Sequence, residues 1–145
     1  MPLPRPELGL VVHYGFVWGG ASHPSPPDSG KDRPCLIVDL LEVEDSPGRK
    51  TLRVTYLPIS HTEPRAGESA KLIPARVADH LGLTAEKSYV YTSYASEDDW
   101  PFDLAHIPGR RDRFHYGFVP PRLFEAIGSE FRRHLARRRG HVYRR

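Results

Sequence analysis

"RPCLIVDLLEV" (33–43), "DSPG" (45–48) and "KTLRVTYLPIS" (50–60) decide the fold of this chain. The first stretch is a nearly continuous apolar run, as a strand covered on both faces requires. The third alternates polar and apolar residues, as an antiparallel partner with one wetter face does. Between them a proline and a glycine supply the backbone angles of a tight turn. The three together predict an antiparallel hairpin at the centre of a β-meander.

Working outward, "LGLVVHYGFVW" (8–18) is rich in Val, Tyr, Phe and Trp and predicts a strand bent at Gly15, followed by a Gly/Pro/Ser loop over 19–32. "ESAKLIP" (68–74) and "KSYVYTSY" (87–94) predict two more strands. "PARVADHLGL" (74–83) predicts a short helix opened by proline and stopped at Gly82. After "VPPRL", Leu123, Phe124, Ile127, Phe131 and Leu135 recur at three- and four-residue spacing and define one apolar helix face. The expected fold is mainly β with helices, a small barrel or curled sheet closed by a C-terminal helix. No repeat or boundary divides residues 1–145, so one domain is expected, with 137–145 a basic tail read as disordered.

The chain has 145 residues, 39% of them hydrophobic and 27% charged, the composition of a globular protein able to bury a core. Its net charge is +3, unevenly spread, because "FRRHLARRRGHVYRR" carries a dense arginine load at the C-terminus. A lone Cys35 excludes an internal disulfide and a zinc framework. The eight histidines show no paired helical spacing, so neither a metal nor a cofactor is expected. Neither a signal peptide nor a membrane span is legible, which makes the cytoplasm the expected compartment.

The order of "GLVVHYGFVW", a loop, "GKDRPCLIV", "VTYLPISHT" and a terminal "VPPRLFEAI" helix resembles the MazF/PemK-like toxins of bacterial toxin–antitoxin systems, over residues 9 to 135. The similarity is greatest to longer PemK-like members with a "KDRP" segment and a proline, a β-branched residue, a hydroxyl residue, histidine and threonine in succession. It implies an SH3-like barrel shared with CcdB toxins. It also implies a metal-independent endoribonuclease that cleaves single-stranded RNA, works as a homodimer and is neutralised by a partner antitoxin. The arginine of the R-P pair and the hydroxyl ending the "P-I-T" strand form the active site of such proteins, and on this chain those positions are Arg33 and Ser60. Many members carry threonine where Ser60 stands.

The chemistry fits those residue types. Cleavage by the 2'-hydroxyl needs a base, a cation for the charge growing on phosphoryl oxygen, and an acid for the leaving oxygen. Arg33 stays charged and presents a fork matched to phosphate, while Ser60 positions without titrating. Proton transfer falls to His61 or His13. Thr62 is a second hydroxyl two residues on. With Lys31 and with Arg110 and Arg111 of "PGRRDRF", it makes up the expected substrate contacts.

Blander readings stand beside these. Arg33 could pair with Asp32 or Asp28, and Ser60 could cap a local turn. "SEDDWPFD" (96–103) reads as an exposed acidic loop with Trp100 tucked against the barrel, or else with Trp100 stacking a base or docking the antitoxin. Two other functions suit the same fold: a CcdB-like toxin that inhibits a protein target such as gyrase without chemistry, and an inactive interaction module.

Overall fold

A computed structural model describes residues 5–16, 32–83, 87–101, 104–105, 107–108, 113–137 and 141–144. At its centre is the expected hairpin of β2 (Asp32–Ser46) and β3 (Arg49–Ser60), turned at Pro47 and Gly48. The pairing runs from Cys35 opposite Pro58 to Ser46 opposite Arg49, with register shifts between Ile37 and Asp39 and between Glu44 and Ser46. Gly48 takes φ of +81°, which lets the chain reverse in so few residues.

On the other side of β2 lies β1 (Leu10–Gly15), and beyond it β7 (His115–Phe118). On the far side of β3 two strands share its length. Its last residues pair with β5 (Tyr89–Tyr91), which pairs with β4 (Ala70–Leu72). Its middle pairs with β6 (Tyr94–Asp99). The path β4-β5-β3-β2-β1-β7 is antiparallel throughout, and among the described residues no ladder joins β4 to β7, so the sheet is open.

Both faces are buried at the centre of the sheet, and alternation sorts the residues there. Val11, Leu36, Val38, Leu57, Ile59 and Val90 face one side, where α1 (Ala75–Leu81) and α2 (Pro121–Ala136) cover them with Ala78, Leu81, Ile127 and Phe131. Leu10, Val12, Tyr14, Cys35, Ile37, Val54 and Tyr56 face the other, with Tyr89, Tyr91 and Tyr94, and Trp100 and Leu104 pack at its margin. Gly82 ends α1 in the left-handed conformation at φ of +74°, its N–H donating to Ala78 and Asp79 carbonyls, as a glycine stop does. Proline opens both helices.

Three expectations need correction. The acidic stretch from Ser96 to Asp99 belongs to β6: Ser96 and Asp98 point inward and are buried, while Arg53 answers Asp99 at 3.5 Å and Glu97 at 3.9 Å across the β3 ladder. Within the supposed tail, His141–Arg144 form β8, parallel to β6. Leu135 is 41% exposed, because the last turn of α2 carries it away from the core that Ile127 and Phe131 fill. The 19–31 part of the long loop lies outside the described residues.

Candidate functional site

Arg33 and Ser60 sit at neighbouring ends of the two central strands. Arg33, half-buried, is directly opposite Tyr14 across β1 and β2, so both stand on the tyrosine-rich face. Ser60 stands on that same face, two residues after Pro58, which is opposite Cys35. The β2–β3 pairing ends at Cys35 and Pro58, two residues short of Arg33 on one strand and of Ser60 on the other. The opposite neighbour of Ser60 is Tyr89 of β5.

Ser60 is partly occupied by a local task. Its Oγ accepts the Thr62 N–H at 3.2 Å and shapes the bend that ends β3. A serine hydroxyl that accepts one bond still carries a hydrogen to donate. The strand stops at Ser60, so strict alternation no longer assigns His61 to the far face; His61 and Thr62 are both exposed in the following bend. The Thr62 carbonyl accepts the Tyr91 hydroxyl at 2.7 Å, and Tyr89 donates to Glu63 at 3.3 Å. These two phenols anchor the segment after β3 to β5.

His13 does not join this group. It is opposite Pro34, one position from the Tyr14–Arg33 pair, and therefore stands on the helix-covered face. There Nδ1 lies 2.8 Å from the Tyr116 hydroxyl, a hydrogen bond that ties β1 to β7. Burial pulls the His13 pKa below its usual value, opposed in part by the Asp32 charge, and burial lifts Tyr116 to about 12. Burial favours the neutral form of each ring, and the bond between them is a structural one. Which face a β1 residue shares with Arg33 depends on the register between strands, and composition carries no trace of that.

Behind Arg33 lies the buried tyrosine layer. Tyr14 stacks on Tyr56 with centroids 3.9 Å apart and planes 13° from parallel. Among the described residues the fully buried Tyr56 hydroxyl has no hydrogen-bond partner, and burial drives its pKa far up. Cys35 lies in the same layer, and burial raises its thiol pKa strongly, so it is inert core.

Sequence reasoning missed Glu63, the carboxylate beside the end of β3, and Tyr89, which holds it. A carboxylate three residues after Ser60 was visible, but the phenol 26 residues later that fixes it was not. Lys31, Arg110 and Arg111 lie outside the described residues. Among the described residues no group of three or more His, Cys, Asp or Glu could hold a metal, and no helix is long and apolar enough to cross a membrane. Comparison with family models, with curated proteins and with solved structures found no match to this chain.

Proposed function

We propose that this protein is a metal-independent endoribonuclease of the MazF/PemK-like toxin kind, on an SH3-like barrel, acting on single-stranded RNA as a homodimer and restrained by an antitoxin. The supporting observation is the shared face and adjacent strand ends of Arg33 and Ser60. A guanidinium fork beside a hydroxyl with a hydrogen to give suits a phosphodiester whose oxygens gain charge as the 2'-hydroxyl attacks. Proton transfer on this side is assigned to His61 or Glu63 after β3, and not to His13 on the far face.

The test is cleavage of a long single-stranded RNA in EDTA, with Arg33→Ala in parallel. Cyclic-phosphate and 5'-hydroxyl ends from the wild type, absent with the variant, support the reading. No cleavage by folded protein free of antitoxin overturns it. One observation favours a second reading, a toxin that binds a protein target without chemistry: the Ser60 oxygen is already engaged in its own turn. Trapping of gyrase by a protein that leaves RNA intact would establish that alternative.

A further inference from the structure

On the helix side of the molecule an open groove of about 460 Å³ runs between β4 and the later turns of α2, lined by Lys71, Ala126, Ser129, Arg132, Arg133 and Ala136. Three of the six are cations and none is acidic. Among the described residues the ion pairs engage Lys50, Arg53 and Arg65, and none of the three groove cations. A concavity lined by three cations and no acid attracts a polyanion.

Gly128 adds to this. Glycine inside a helix costs about 1 kcal/mol relative to alanine. Here it is buried beneath the Arg132 guanidinium, and a Cβ at that position would come within 3.1 Å of Arg132 Nη1. The missing side chain lets the Arg132 guanidinium approach the helix backbone at this position.

The groove and the candidate site are on opposite faces of the sheet, a short way apart around its β4 edge. Lys71 is opposite Val90, and Val90 is opposite Ile59, the residue before Ser60. Two strand spacings separate Lys71 from Ile59, roughly 10 Å. Because Val90 and Ile59 face the helices, Lys71 stands on the helix side and Ser60 on the other. A chain leaving Ser60 and turning over the β4 edge arrives at Lys71.

We infer that this groove seats the phosphodiester backbone of single-stranded RNA flanking the segment held at Arg33 and Ser60. The inference rests on the reading that the ligand is single-stranded RNA, but not on cleavage.

The test uses the full chain and a fluorescein-labelled 2'-O-methyl oligouridine, which has no attacking hydroxyl, followed by anisotropy across a salt series. One variant combines Lys71→Gln, Arg132→Gln and Arg133→Gln. A control removes the same charge elsewhere through Arg49→Gln, Lys50→Gln and Arg76→Gln. Losing three phosphate contacts should lower the slope of log affinity against log salt by about 2 and weaken binding by on the order of tenfold or more, with the control close to wild type. Equal effects from both variants, a groove variant with the wild-type slope, or no binding by the wild type each overturn the inference. So does a groove variant that loses poly-glutamate but keeps RNA, which would assign the groove to an acidic protein partner. A wild type that binds through the groove yet cuts no unmodified RNA leaves this inference standing and removes the ribonuclease reading.

Discussion

Tyr14 donates its phenolic hydrogen to Asp98 Oδ2 at 2.8 Å, across 84 residues of sequence, with Ser96 Oγ 3.1 Å from the Tyr14 hydroxyl oxygen. This hydroxyl and the Asp99 N–H, which donates to the other Asp98 oxygen at 2.8 Å, both help to hold a buried carboxylate of β6 against the tyrosine layer, since a buried carboxylate requires donors.

Replacing Tyr14 by Phe keeps the stack on Tyr56 and removes the donor. The expected loss is about 1–3 kcal/mol, the cost of leaving a buried acceptor short of a partner. Urea denaturation measures it, and a midpoint within error of wild type would show that Asp98 does not depend on this bond.

His13 predicts a pH dependence of stability. Burial lowers its folded pKa, so the unfolded chain takes up the proton first as pH falls, near the ordinary value of about 6.5. The stability from burying a neutral ring is complete above that value. It declines as pH drops below it, and levels off once the folded state also protonates. His13→Phe should flatten this limb of the urea-midpoint profile as pH falls below about 6.5. An unchanged slope would put the titration elsewhere.

Along α2, Ile127→Ala should cost about 2–5 kcal/mol, because Ile127 is fully buried in the core shared with β1, β2 and β3. Leu135→Ala should cost less than about 0.5 kcal/mol, since that side chain is on the surface. Equal losses at both positions would mean that Leu135 is covered in solution.

Gly117 pairs with Val11 where the β1–β7 register shifts, at φ of +132°. An alanine there meets only ordinary contact with Leu81 Cδ2 at 3.5 Å, so the penalty is in the backbone. Gly117→Ala should lose about 1–3 kcal/mol in thermal or urea unfolding. A neutral result would mean the strand can re-form with an extended residue.

The hairpin of β2 and β3 was legible because its apolar run, turn residues and alternation lie within 28 consecutive positions, 33–60, where local signals agree. The period of α2 was legible too, but periodicity does not say where the helix outruns the sheet, and so Leu135 was misplaced. β6 was hidden because Glu97, Asp98 and Asp99 read as solvated, while the groups that answer them, Arg53 and Tyr14, come from distant strands. β8 was masked in the same way by its flanking arginines. At the candidate site the residue types were readable, but the exclusion of His13 followed only from the pairing of Tyr14 with Arg33.

The pairing of β1 with β7 joins residues more than a hundred positions apart, as Leu10 with Phe118 does. At roughly 5–20 residues added per second, a nascent chain waits on the order of 10 s between making one edge and making its partner. During that interval β1 carries an open row of backbone donors and acceptors beside Val11 and Val12, the kind of edge that another strand can capture. The order of synthesis therefore leaves the β1 edge open to mispairing until residues 115–118 have been made.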